Sequence, residues 1–314
     1  MKYGFGVDLG GTSVKIAYFN EEGALLDKWE IPTDVRQDGV NILPDIARSL
    51  QEYIEKQQLP RESLLGIGIG VPGPVNDEGE VNCCENLGWG VFNVHDALGG
   101  LTGLPVKAGN DANVAALGEC WKGSGKGSKN MMMVTLGTGV GGGLVVDGKI
   151  VAGAHGGAGE FGHLVLNREE TECCGCGKKG CAEQYCSATG VVRLANRRLQ
   201  KDAEPSVLRT LERVTARDVF DSGKAGDKVA VQILDQYFAY LGEFMADICC
   251  VLDPETVILG GGVCKAGQFL LDGMAPYYQK NVFHASKDVK FSIASLGNDA
   301  GAYGAFKLAL DAFG

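Results

Sequence analysis

Two segments of this chain repeat one design: an apolar strand, a Gly/Thr turn and a second apolar strand. The first reads YGFGVDLGGTSVKIAYF, with strands expected over 3–9 and 13–19 around Gly10-Gly11-Thr12. The second reads MMMVTLGTGVGGGLVV, with strands expected near 131–136 and 142–147 around Gly137-Thr138-Gly139. Two such hairpins predict two related domains facing one site. Around them strands alternate with helices. A helix is expected over 37–58, and a strand over 64–71 that must turn at Val71-Pro72-Gly73-Pro74. A strand over 104–108 leads to Asn110-Asp111, which opens a helix through Trp121. Residues 187–250 read as mostly helical, with apolar periodicity over 228–252 that stops at Asp253-Pro254. A strand over 256–259, the segment 291–296 and a helix over 300–310 complete the chain. This alternation is α/β. The boundary is expected within 118–129, where GSGKGSK reads as a linker or exposed loop.

Composition narrows the function. The chain has 314 residues, ample for a core without covalent staples. Its formal net charge is -10, which disfavours general nucleic-acid binding but leaves room for a small anion at a local patch. No export signal and no apolar run long enough to span a membrane is read, so the expected location is the cytoplasm. The 48 glycines are about twice the usual share. They lie in short runs beside apolar segments, which reads as backbone turns meeting a ligand. G-x-G-x-x-G occurs at Gly68, Gly137, Gly157 and Gly175, never before a helix as a dinucleotide site requires. No Walker A pattern is present.

The hairpin turns are a different phosphate device. In Asp8-Leu9-Gly10-Gly11-Thr12, bare N–H groups can meet phosphate oxygens and the Thr12 hydroxyl adds a donor. Lys15 supplies a point charge, and Asp8 can hold Mg²⁺ through water. The plainer alternative is a turn that needs glycine for positive φ. Asp111, at a strand-to-helix junction, either caps the helix or takes a proton from a sugar hydroxyl as it attacks phosphorus. Asn110 would hydrogen-bond the same sugar.

Five cysteines crowd between 173 and 186, after EFGH. His163, Cys174, Cys176 and Cys181 make a closed tetrahedral set for Zn²⁺, with Cys173 and Cys186 as rival ligands. The alternative is a group of buried thiols. Glu160 and Glu183 bracket this knot and would be held as acceptors for sugar hydroxyls rather than left as solvated charges. The second ring nitrogen of His163 can face the substrate. His95 and His284 read as surface or satisfied core residues, and His155 is undecided.

Together DLGGT, GVPGP, GNDAN, LGTGVGGG, EFGH and CGCGKKGCAE resemble, in this order, the ROK sugar kinases. KWEIPTD, NLGWG, NVAALGECWKG, SATG, ARDVF and LGNDAGAYGA resemble the bacterial ROK glucokinases in particular, and the likeness runs from about residue 4 to residue 306. It implies an α/β, actin-like ATPase (ribonuclease H-like) fold, with two domains flanking a cleft. The smaller would hold 1–118, with the C-terminal helix of about 300–314 crossing back to it. The larger would hold 119–299 and the zinc knot. It implies Asp111 as catalytic base, with Gly73, Asn110, Glu160, His163 and Glu183 at the sugar. Asp8, Gly11, Thr12 and Lys15, with Thr138 and Gly139, would serve the phosphates of ATP-Mg²⁺, and Gly261 and Gly262 the adenosine. It gives zinc to His163, Cys174, Cys176 and Cys181. The implied reaction is ATP-dependent phosphorylation of glucose at the 6-hydroxyl, a step of glycolysis, by a homodimer or homotetramer with no nucleic-acid or membrane partner. The alternatives are another hexose (mannose, fructose, N-acetylglucosamine or N-acetylmannosamine) or a non-catalytic sugar sensor. Some members of the family are repressors with a DNA-binding module ahead of the kinase-like part. With DLGGT beginning at Asp8, and with the acidic charge, that role is not expected.

Overall fold

The computed structural model describes residues 1–82 and 84–314. The strands of the two large sheets are β1 (Tyr3–Leu9), β2 (Ser13–Asn20), β3 (Leu25–Pro32), β4 (Leu64–Val71), β5 (Val106–Asn110), β6 (Met131–Leu136), β7 (Val140–Val146), β8 (Lys149–Ile150), β9 (Thr256–Gly260) and β10 (Lys290–Ile293). The longer helices are α1 (Ile42–Lys56), α2 (Val94–Thr102), α3 (Asp111–Lys122), α4 (Ala188–Lys201), α5 (Ala216–Lys224), α6 (Lys228–Leu252), α7 (Gln268–Asn281) and α8 (Ala300–Phe313). One five-stranded sheet runs β3-β2-β1-β4-β5 and the other β8-β7-β6-β9-β10, and a small two-stranded sheet pairs Glu80–Val81 with Phe92–Asn93. The chain forms two compact units. One is Met1–Lys129 with Gly143–Gly159 and Ser295–Gly314; the other is Asn130–Gly142 with Glu160–Ala294. Among the described residues, no helix is long and apolar enough to cross a membrane.

In the first unit β1 pairs antiparallel with β2 and parallel with β4, which pairs parallel with β5. Side chains alternate across a strand. Phe5, Val7 and Leu9 of β1 therefore join Ile67 and Ile69 of β4 and Ile42, Ile46 and Leu50 of α1 in one core. The opposite face of these strands is glycine, and α8 lies against it. A Cβ on Gly6 would stand 2.0 Å from the Ala302 carbonyl oxygen, and one on Gly68 1.6 Å from that of Ala305. These glycines serve close approach of helix to sheet and no turn, which corrects the expectation that the glycine surplus meets ligand. Asp8 sits on this same face, where a Cβ on Gly301 would come within 2.5 Å of its carboxyl carbon. Gly68→Ala is expected to cost about 3 kcal/mol, the upper end of ordinary overpacking, because backbone cannot rotate away as a side chain does. Urea unfolding measures it, and a loss below about 0.5 kcal/mol, the usual spread of neutral surface changes, would refute the packing account.

In the second unit β9 pairs parallel with both β6 and β10. Its long helix α6 buries Tyr237, Leu241, Phe244 and Met245. Phe220 of α5 and Phe269 of α7 meet Phe238 of α6 edge to face.

Several boundaries differ from expectation. Helix α1 starts at Ile42, because Gln37 and Asp38 take left-handed angles in a separate turn. Residues 202–215 interrupt the helical region before α5. Residues 118–122 belong to the last turns of α3; Gly118 is a packing residue there, since its Cβ would stand 2.1 Å from the Ala300 carbonyl oxygen. Strand β3 and helices α2 and α7 were not expected. In β3 three of the five exposed residues, Asp27, Lys28 and Glu30, are charged, as suits an edge strand, and α7 carries Pro276 inside its pattern.

Candidate active site

The first hairpin turn joins β1 to β2. Gly10 N–H donates to the Ser13 carbonyl at 3.0 Å, and Thr33 Oγ1 donates to the Gly10 carbonyl at 2.7 Å, so the turn is held from behind. Neither Gly10 nor Gly11 has a positive φ. The turn therefore does not need glycine for its backbone angles. A Cβ on Gly11 would meet nothing within 4 Å, and Thr12 is exposed: the space above the turn is open. Lys15, register partner of Asp8, brings its Nζ to 3.3 Å from Asp8 Oδ2. This is a cation and a carboxylate beside exposed amides, the makings of an anion site.

Strand β5 delivers the next pair. Asn110 takes extended angles and is the N-cap of α3: its Oδ1 accepts from the N–H groups of Ala112 at 3.0 Å and Asn113 at 3.2 Å. Its Nδ2 donates to the Gly73 carbonyl at 3.1 Å, tying the helix to the Gly-Pro turn, where Gly73 has φ +135°. The capping alternative thus belongs to Asn110. Asp111 is the first helical residue, partly exposed, with Oδ1 accepting from Ala112 N–H at 2.8 Å.

In the second unit the turn at Gly137-Thr138-Gly139 is fastened to α4. Ala188 N–H donates to the Gly137 carbonyl at 2.8 Å, and the Thr189 hydroxyl donates to the Thr138 carbonyl. Gly139 is glycine because Glu183 comes against it; a Cβ would stand 2.0 Å from Glu183 Oε2, which accepts from Val140 N–H at 3.0 Å. Gly137 and Gly139 also avoid positive φ. Gly261, with φ +87°, follows β9 and lies on the Leu136 backbone. Gly262 borders a cavity of about 640 Å³ lined also by Thr215, Ala216, Phe220, Lys224 and Lys265.

The four candidate metal ligands gather as one group. One ligand atom from each of His163, Cys174, Cys176 and Cys181 lies within 4.8 Å of the others. Cys176 and Cys181 are 3.6 Å apart at sulfur, and Cys174 Sγ is 4.0 Å from His163 Nδ1. A tetrahedron with zinc's bond lengths has edges of about 3.6–3.8 Å, so the donor set fits. Cys173 is exposed and Cys186 is fully buried, and neither is in the group. Burial pushes the Cys186 thiol well up, as suits an inert core thiol. With Nδ1 turned to the sulfurs, His163 Nε2 lies 3.9 Å from the exposed Glu160 carboxylate. Glu183 Oε1 lies 3.5 Å from Cys174 Sγ, so this glutamate links the knot to the hairpin turn. His95 is a satisfied residue: its Nε2 accepts from Ala108 N–H at 2.9 Å, and burial lowers its basicity. His155 and His284 are exposed.

One group was missed in the sequence. Glu170, buried just before the knot, accepts from Arg193 at 2.7 Å and Arg197 at 3.0 Å on α4, and from the Tyr185 hydroxyl. The Arg197 guanidinium holds its carboxyl well below the usual carboxylate range. The partners lie 15 to 27 positions away, so no local pattern announces them.

The model of the "ROK family" matches residues 4–312. The chain is 42% identical to a glucokinase of Halalkalibacterium halodurans, over 95% of this chain and 92% of that one. It is 33% identical to an N-acetylgalactosamine kinase of a Shewanella species, over 96% and 94%. Among solved structures, a ROK glucokinase from Streptomyces griseus in complex with glucose and AMPPNP superposes with a TM-score of 0.75 at 30% identity, covering 98% of this chain and 99% of that one. The chain belongs to the ROK family and has the actin-like ATPase fold of that family's sugar kinases, with two α/β domains.

Proposed function

We propose that the sugar phosphorylated by this chain is glucose, at its 6-hydroxyl, with ATP-Mg²⁺ as donor. The chain is a hexokinase-type phosphotransferase. The geometric observation that carries the mechanism is the division of labour at the start of α3. Asn110 takes the cap, so the adjacent Asp111 carboxylate is not needed to close the helix. Asp111 is the general base: it orients the 6-hydroxyl and takes its proton as the oxygen attacks the γ-phosphorus in line. Asn110, Gly73, Glu160, Glu183 and His163 Nε2 are the groups that meet the sugar in this reading. The turn amides of Gly11, Thr12, Thr138 and Gly139, with Lys15, stabilise charge on the transferring group, and Asp8 is the residue that would hold the nucleotide's Mg²⁺. Gly261 and Gly262 admit the adenosine.

His163, Cys174, Cys176 and Cys181 would hold Zn²⁺. Four protein donors leave no open position, so the ion's contribution is structural: it fixes the ring of His163 and the segment leading to Glu183. The expected assembly is a homodimer or homotetramer, and the expected location the cytoplasm.

The likeness that supports glucose is the 42% identity to a named glucokinase. The relative named for an N-acetylated amino sugar keeps a second sugar class open to test. ADP release is measured with ATP-Mg²⁺ and glucose, mannose, fructose, N-acetylglucosamine, N-acetylmannosamine or N-acetylgalactosamine in parallel. Turnover is expected to be highest on glucose. Higher turnover on another sugar keeps the mechanism and replaces the substrate. Binding of glucose with no turnover on any sugar would replace the kinase by a sensor.

A further inference from the structure

Glu119 is fully buried, on the third turn of α3, and the mechanism above does not use it. Its Oε1 accepts from Leu296 N–H at 2.7 Å. Its Oε2 accepts from Ser124 N–H at 2.9 Å and faces the Ser295 hydroxyl at 3.4 Å. One carboxylate thus fastens both the exit of α3 and the segment that leads into α8. Gly123 leaves room for it, since a Cβ there would stand 1.9 Å from Oε2. A buried carboxylate is costly unless its lone pairs are met, so its direction is set by these N–H groups and is hard to change.

What the clasp holds together is informative. Helices α3 and α8 meet backbone to backbone at their crossing: a Cβ on Gly304 would stand 1.7 Å from the Val114 carbonyl oxygen, and one on Gly118 2.1 Å from that of Ala300. Beyond the crossing the ring contact of Trp121 with Phe306 joins the two helices near the exit of α3, and the carboxylate of Glu119 is the polar tie from that exit to the entry of α8. Asp111 begins α3. Gly301, in the first turn of α8, lies on the carboxylate of Asp8. Asp8 in turn lies 3.3 Å from Lys15.

We infer that Glu119 is a positioning residue for phosphoryl transfer, setting the distance between Asp111 and Asp8 by clamping α3 to the entry of α8. The inference rests on the kinase reading of Asp111 and Asp8. The side chain touches neither reactant and acts through the two helices. Asn110 keeps its own tether to Gly73, so loosening the clamp shifts the phosphate side more than the sugar side.

Glu119→Gln tests this. The amide fits the space, but its NH₂ must face one of the two N–H groups. The expected result is a fall in kcat of about tenfold and a rise in KM for ATP-Mg²⁺, with KM for glucose within about twofold, since small misplacements cost rate before binding. Hydrogen exchange at Leu296 and over 300–303 should quicken. A purely structural role gives the opposite split: a lower Tm with kcat and KM for ATP-Mg²⁺ unchanged per folded molecule, and that result overturns the inference. If E119Q does not fold, E119D carries the same test, because a carboxylate drawn back by one methylene cannot hold both N–H groups. If the wild type turns over no sugar, the kinase reading fails first. The clamp is then decided by exchange alone, and unchanged exchange over 300–303 overturns it.

Discussion

Asp111→Asn is expected to leave fold and metal content intact and to lower kcat on glucose about a thousandfold, the middle of the range for a lost general base. That corresponds to about 4 kcal/mol of transition-state stabilisation. The fold should survive because the cap is supplied by Asn110, whose Oδ1 holds the N–H groups of Ala112 and Asn113. The new amide oxygen can still accept from Ala112 N–H, as Asp111 Oδ1 does at 2.8 Å. The helix loses only a favourable charge at its N-terminus, about 0.3–1 kcal/mol. KM for glucose should change little, since an amide and a carboxylate both accept a hydrogen bond from a hydroxyl. The measurements are kcat, KM, zinc content and Tm on the same preparation. A variant that keeps kcat within about tenfold of wild type would remove Asp111 from the base role, because a base is worth at least about a hundredfold.

How much of this was legible before the structure depended on the range of the interaction. The strands 3–9, 64–71 and 131–136 appear at the expected residues, because continuous apolar runs closed by turns admit few alternatives. That a His and cysteines gather here was legible from five cysteines crowded after EFGH, but spacing left Cys173 and Cys186 as rivals, and only the family resemblance named His163, Cys174, Cys176 and Cys181, the four that the structure brings together. The junction at 110–111 was legible as a helix start. Which residue caps it was not, since Asn and Asp are both good caps and only the backbone angles choose Asn110. The glycines of β1 and β4 were misread because a glycine facing a helix backbone looks, in sequence, like one shaping a turn. Glu119 and Glu170 were invisible for a different reason. Their partners lie up to 177 positions away for Glu119 and 27 for Glu170, and a lone glutamate on a helix or in a loop is ordinarily solvated.

The knot yields the other large expected effect. Cys176→Ser should lower zinc content and glucose affinity together, with KM for glucose rising about tenfold, a loss of about 1.4 kcal/mol. Serine is a poor substitute because its hydroxyl stays protonated where the thiolate binds. Few apolar contacts are available to hold the segment instead: from Thr171 to Lys179 every residue but Cys174 is exposed. What remains are short turn bonds, such as Cys174 N–H to the Lys178 carbonyl at 2.7 Å and Gly177 N–H to the Cys174 carbonyl at 2.9 Å. Release of the ion frees His163, whose Nδ1 faces Cys174, and with it the Nε2 that approaches Glu160. Glu183 should suffer less, because Val140 N–H holds its Oε2 independently of the sulfurs. The Glu170 pairs with Arg193 and Arg197 also stay, so the damage should remain local and Tm should fall by only a few degrees. Metal analysis, calorimetry of glucose binding and a thermal scan separate these terms. Wild-type glucose affinity in a zinc-free variant would show that the knot does not order the sugar residues. A variant that loses both zinc and the cooperative transition would instead mean that the knot belongs to the fold of the whole second unit.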